Sequence, residues 1–248
     1  LSLALRGEHQ VVVVAGDAGI GKTTLVADLA RRAEELGFTV AMGHCLDIEA
    51  GISFAAVIEA LSPLVTKVED TEARPFARRL HTLLDPATPR STEQLNLLEN
   101  LRLAVLETAD AGPILLVLED LHWADRSTQD FAVALSRTGR GRLLLALTVR
   151  TDDLHRHHPA RTALAEIVRV TGGRRVELGS LDRESIAGIV AAATGGPPEP
   201  AVIGSVLKRS EGNPLYAEEI VAAGPGRIPE QLSDLFLARV DALADGPR

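Results

Sequence analysis

Residues 11–15, Val-Val-Val-Val-Ala, run directly into Gly16-Asp17-Ala18-Gly19-Ile20-Gly21-Lys22-Thr23, and a stretch of helical periodicity follows. An apolar strand that turns through G-x-x-x-x-G-K-[ST] into a helix predicts a phosphate-cradling P-loop. The glycines let the backbone curl so that successive N–H groups point inward and form a nest for an anion. The helix that follows adds its unpaired first-turn donors and the positive end of its dipole. Lys22 brings a full charge toward the β- and γ-phosphates, Thr23 is placed to hold Mg²⁺, and Thr24 offers a second hydroxyl. A glycine-rich turn that binds no nucleotide would have no need of a lysine at that offset.

A second element narrows the reading. Ile114-Leu115-Leu116-Val117-Leu118 is a continuous apolar run after Gly112-Pro113, the pattern of a strand buried on both faces, and it ends in Glu119-Asp120. Open α/β sheets bind ligands at the carboxyl ends of their strands. One such carboxylate can hold Mg²⁺ and the other can orient a water toward the γ-phosphate. Alone, paired acids after a strand often merely cap a turn; beside a P-loop they point to nucleotide chemistry.

At 248 residues and 46% hydrophobic, the chain can bury a full core. No apolar run approaches the roughly 18 residues of a membrane span, and no signal peptide is recognisable. The single cysteine, Cys45, excludes an internal disulfide framework and reads as a small hydrophobe in a reducing, cytoplasmic setting. Net charge is −8, with an isoelectric point near 5.4, so direct nucleic-acid binding by this segment is not expected. Lys22, Lys67 and Lys208 are the lysines among 26 basic residues, which together with many alanines suggests a GC-rich bacterial genome. The start at Leu1 and the helical reading up to Arg248 suggest a piece of a longer protein.

Strand and helix patterns alternate along the first two thirds of the chain. Helices are expected at residues 23–36 (apolar at Leu25, Leu29, Ala33 and Leu36), 54–64 and 72–84. A further helix should run from the capping box Ser91-Thr92-Glu93-Gln94 to about Ala109, and another should start near Ser127 with Asp125 or Ser127 as cap. Strands are expected at 38–43, 114–118, 143–149 and 176–178. This order predicts an α/β P-loop NTPase fold: a mostly parallel five-stranded sheet flanked by helices, followed by a small helical lid. From Leu181 the pattern is helical, at 183–193, 201–209, 214–222 and 228–243, with glycine–proline breaks between. The expected domains are a core over 1–179, a lid over 180–225, and over 226–248 the first helix of a following winged-helix-like domain.

Other features are less specific. His155-Arg156-His157-His158 is broken by Arg156 and followed by Pro159, no acidic or thiol set completes a metal site with it, and it reads as a solvated loop. Trp123, beside the acidic pair, either packs its loop on the core or senses the nucleotide. Arg150 follows the fourth strand and can reach the end of the sheet that carries Lys22.

Gly16 through Thr23, together with Leu118-Glu119-Asp120-Leu121-His122-Trp123-Ala124-Asp125, resembles the ATPase module of the STAND class of signalling NTPases. It is most similar to the large ATP-binding LuxR-type bacterial regulators. Leu147-Thr148-Val149-Arg150 resembles the class's strand-four sensor, and Glu211-Gly212-Asn213-Pro214-Leu215-Tyr216 resembles its lid G-x-P motif. The likeness runs from about residue 9 to residue 243. It implies that Lys22 binds the β/γ-phosphates, Thr23 and Glu119 hold Mg²⁺, and Asp120 positions water. It also implies that Arg150 senses the γ-phosphate and Pro214 packs on the adenine. Three features depart from the pattern: Glu119 stands where the family has Asp, Arg126 where it has Pro, and the upstream V-G-R-E-like segment is missing or cut away.

The resemblance implies an ATP/ADP-binding switch with slow or conditional Mg²⁺-dependent hydrolysis, within a transcriptional regulator. Its partners would be the nucleotide, further copies of the protein, and inducer-binding domains of the parent. An AAA+ motor or loader ATPase is the alternative of a different class, distinguished by a trans-acting arginine finger and a second sensor arginine in the lid; residues 214–222 contain no arginine. A nucleotide-binding scaffold that never hydrolyses is the third reading.

Overall fold

The structure, a computed structural model, describes residues 1–46, 53–66, 94–138, 141–170 and 173–224. The helices expected at 72–84 and 228–243, the capping box from Ser91 to Glu93 and the expected domain over 226–248 lie outside the described residues. In chain order the elements are α1 (Ser2–Leu5), β1 (Gln10–Gly16), α2 (Lys22–Glu35), β2 (Thr39–His44), α3 (Ala55–Thr66), α4 (Gln94–Ala111) and β3 (Ile114–Glu119). A 3-10 turn (Leu121–Trp123) then leads to α5 (Arg126–Ser136), β4 (Leu143–Arg150), α6 (Ala160–Arg169) and β5 (Gly173–Glu177). Last come α7 (Arg183–Thr194), α8 (Pro200–Ser210) and α9 (Pro214–Ala223). Among the described residues no helix is long and apolar enough to cross a membrane.

The described residues fall into two units: those of Leu1–Asp17 with Lys22–Glu177, and Ala18–Gly21 with 178–224. In the first, the strands pair in the order β2-β3-β4-β1-β5, and every pairing is parallel. Successive side chains of a strand point to opposite faces, and both faces here are covered. Leu116, Leu118, Leu145, Leu147, Val11 and Val13 meet residues of α3 to α6 on one face. Leu115, Val117, Leu144 and Ala146 meet Ala4, Val26, Ala30 and Ala33 of α1 and α2 on the other. The run from Ile114 to Leu118 is therefore fully buried.

Two expectations are corrected. On α2 the buried stripe is Val26, Ala30 and Ala33, whereas Leu25 and Leu36 are exposed. Small residues let this helix lie close to the sheet, and the leucines fall on the flank. The fifth strand starts at Gly173, three residues before the apolar alternation, and its residues are mostly exposed. As an edge strand it is held by its backbone ladder to β1, which needs no apolar code.

The second unit has its own small core, Ile186, Val190, Val206, Ala217 and Ile220, from α7, α8 and α9. Asp182 caps α7 by accepting the N–H of Ser185. Asn213 caps α9, accepting from Leu215 and Tyr216. The loop tip Ala18–Gly21 groups with these helices: the Asn213 amide donates to the Ala18 carbonyl at 2.9 Å, and the Leu215 N–H donates to the Gly19 carbonyl at 3.3 Å.

Candidate functional site

The strand order places the acidic and basic candidates along one edge. β1 lies between β4 and β5, so the chain crosses over from β1 to β2 and then steps back through β3 and β4. Such a reversal opens a crevice at the carboxyl ends of the strands. The registers there pair His44 with Glu119 across β2 and β3, and Gly16 with Arg150 across β1 and β4.

Lys22, the first residue of α2, is buried, and its Nζ donates to the Gly16 and Asp17 carbonyls at 2.8 and 2.7 Å. These bonds draw the strand end and the helix start together and use two of the three ammonium donors. Burial pushes the Lys22 ammonium below its ordinary value; Asp120 works against that shift and Arg150 adds to it. Gly19 (φ 73°) and Gly21 (φ 97°) are left-handed, as the curl of the loop requires. Thr24 is exposed.

The Thr23 hydroxyl donates to Glu119 Oε2 at 2.7 Å, so the longer glutamate side chain spans the gap directly. The other oxygen, Oε1, is buried without a hydrogen-bond partner among the described residues. A hydroxyl beside a carboxylate with a spare buried lone pair is a hard-oxygen donor set, the kind that suits Mg²⁺. The residues present therefore fit that ion.

Asp120 adopts a left-handed conformation (φ 53°) that turns the chain out of β3 into the 3-10 turn. Its backbone N–H donates to the buried Thr148 hydroxyl at 2.8 Å, which gives the threonine of the strand-four pattern a structural task. Arg150 ends β4, with Nε 3.6 Å from Asp120 Oδ1 and its guanidinium 4.4 Å from the centre of the Trp123 ring. Trp123 also packs against the core. Asp125, not Ser127, caps α5, accepting from Thr128 at 3.1 Å.

Lys22, Thr23, Glu119, Asp120 and Arg150 thus fall within one unit, together with Gly16 and Asp17. Ala18, Gly19, Ile20 and Gly21 group with the helical unit, as does Pro214, the first residue of α9. His155 and His157 are exposed and belong to no part of this edge.

Several polar neighbours were not singled out from sequence. His44 ends β2, its Nε2 3.6 Å from Glu119 Oε1. Glu59 of α3 holds it, accepting its backbone N–H at 2.9 Å and lying 2.8 Å from Nδ1. That contact is the main cause raising the His44 imidazole above its ordinary value. The Thr151 hydroxyl donates to Asp17 at 2.6 Å. The strand-end rule applied to β2 would have found His44; Glu59 and Thr151 carry no local signal.

No curated protein matches this sequence. Among solved structures, a STAND protein with a tetratricopeptide-repeat sensor from Pyrococcus horikoshii matches over 96% of this chain and 31% of its own, at 15% identity and a TM-score of 0.51. The Orc1 protein of Aeropyrum pernix, solved in complex with DNA, matches over 97% and 62%, at 16% and 0.54. A Walker-type ATPase of Pyrococcus abyssi matches over 94% and 70%, at 14% and 0.56. At such identities the likeness shows the fold, that of a P-loop NTPase, and the chain spans about a third of the first of these proteins and just under two thirds of the second. The sequence pattern of the AAA ATPase domain matches residues 1–147, more than half of the chain, and the chain belongs to that family.

Proposed function

We propose that this chain is the ATP/ADP-binding switch module of a signalling regulator of the large LuxR type, with slow or conditional hydrolysis. Family membership implies nucleotide binding, usually with Mg²⁺. The observation that carries the reading is the edge itself: Lys22, the Thr23–Glu119 pair, Asp120 and Arg150 sit at the ends of β1, β3 and β4. In this reading the loop from Gly16 to Thr23 and Lys22 bind the phosphates. Thr23 and Glu119 hold Mg²⁺, which when bound would neutralise phosphate charge. Asp120 orients the attacking water and accepts a hydrogen bond from it. Arg150 contacts the γ-phosphate, the group that distinguishes ATP from ADP. Pro214, in a lid over 180–225, packs on the base.

α9 contains no arginine, which favours a switch over a continuously cycling motor. The regulator context is supported by the ordered motifs of the sequence. It predicts that the full-length gene product carries a C-terminal helix-turn-helix, which reading the parent gene tests.

Calorimetric titration tests the core of the proposal. Lys22→Ala should lose a charge-assisted phosphate contact, about 1.5–3 kcal/mol or roughly 10- to 150-fold in ATP affinity. A variant that binds ATP as tightly as the parent chain would overturn the phosphate assignment.

A further inference from the structure

His122 is a fully buried imidazole in the 3-10 turn after β3, and nothing assigned to the phosphate edge uses it. The Arg150 backbone N–H donates to its Nδ1 at 3.4 Å. Nδ1 must therefore carry the lone pair, which puts the proton on Nε2. Nε2 faces the Asp153 carboxylate at 3.2 Å but off the line of a hydrogen bond. The same Asp153 oxygen lies 3.9 Å from Arg150 Nη1. Burial lowers the His122 imidazole from its ordinary value; Asp120 and Asp153 oppose that shift, and Arg150 and His158 add to it. The ring is thus a neutral spacer, in contact with Trp123 at 4.8 Å between centroids.

Around Arg150 the result is a cradle. Its guanidinium lies on Trp123, flanked by Asp120 at 3.6 Å and Asp153 at 3.9 Å. Both distances exceed the 2.7–2.9 Å of a charge-assisted hydrogen bond. Among the described residues the side chain is confined without a hydrogen bond that commits its donors to a partner. Confinement before binding removes the entropy that a long side chain would otherwise lose on meeting its ligand.

We propose that His122, acting with Asp153, is a positioning residue for Arg150: it anchors the Arg150 backbone and keeps the guanidinium on Trp123, aimed along the phosphate edge. This rests on the reading of Arg150 as the γ-phosphate sensor. Trp123 is the only tryptophan of the chain, so its emission reports the cradle directly.

The test measures ATP and ADP dissociation constants, and the difference in Trp123 emission between the two nucleotides. It does so for the parent chain, His122→Phe, His122→Asn, Asp153→Asn and Arg150→Ala. His122→Phe fills the space but removes the acceptor, and Asp153→Asn removes the facing charge. Both should keep ADP affinity within about twofold while the ATP/ADP ratio falls at least about fivefold, the low end of coupling between sites. The emission difference should shrink in parallel. His122→Asn, whose Oδ1 can stand where Nδ1 stood, should recover most of both. If His122→Phe also weakens ADP binding, Asp153→Asn decides, since Asp153 is partly exposed. Parent-like ratios and emission in His122→Phe and Asp153→Asn, with Arg150→Ala losing both, overturn the positioning role alone. A parent-like ratio in Arg150→Ala overturns the sensor reading and this inference with it.

Discussion

One methylene separates Glu119 from the aspartate that the resembled family carries, and the structure shows where it goes. The carboxylate reaches the Thr23 hydroxyl at 2.7 Å, its other, buried oxygen having no hydrogen-bond partner among the described residues, while Asp120 turns out through its left-handed backbone toward Arg150. The two acids therefore stand in different environments and should fail differently. Glu119→Ala should reduce the Mg²⁺ dependence of ATP binding, seen by titration with and without the ion. Asp120→Asn should leave affinity near that of the parent chain and lower kcat on the order of 10²-fold, because a group that orients water acts mainly in the transition state. Phosphate release by Asp120→Asn at the parent rate would mean that the roles are misassigned. At this scale the sequence was informative where a spaced motif marks the position: Lys22 opens α2 after the glycine loop, and Glu119 and Arg150 end β3 and β4. Glu59 was not legible: it acts by closing on His44 from a helix whose docking no local pattern encodes.

Elements were readable where their signals are local. Asp125, one of the two caps expected for α5, is decided within one turn of helix. The flank position of Leu25 and the early start of β5 were not legible, because sheet contact and ladder pairing decide them. Gly43 belongs to this second kind. It sits in β2 opposite Leu118, and a Cβ there would stand 1.9 Å from the Ala56 carbonyl oxygen of α3. That oxygen belongs to helix backbone, so the overlap is relieved only by moving α3 away from the sheet. Gly43→Ala should cost about 1–3 kcal/mol by overpacking. Because α3 also carries Glu59, the shift should loosen the hold on His44. Chemical denaturation measures the first effect; an unchanged midpoint would mean that α3 is not held against β2 as described.

For the whole chain, folding couples to pH through a residue outside the motifs. His9 lies between α1 and β1, is 5% exposed, and has no hydrogen-bond partner at either ring nitrogen among the described residues. Burial pushes its imidazole down to about 4. Between that value and the ordinary 6.5, the unfolded chain binds a proton at His9 that the folded chain refuses, so stability rises with pH across the window and falls as the medium is acidified. A shift of this size corresponds to about 3 kcal/mol, most of it lost by pH 4.5. His122, also lowered by burial, pulls in the same direction. His44, raised by Glu59, pulls in the opposite one, its stabilisation present in acid and lost as pH rises through its folded value. Comparison with His9→Leu isolates the His9 contribution: the variant removes the proton site and both buried ring nitrogens and puts an apolar side chain in their place. Its denaturation midpoint should exceed that of the parent chain at pH 7, and the gap should widen by about 2–3 kcal/mol at pH 4.5. A gap that stays constant across that range would place His9 in water in the folded state and remove it from the acid sensitivity of the fold.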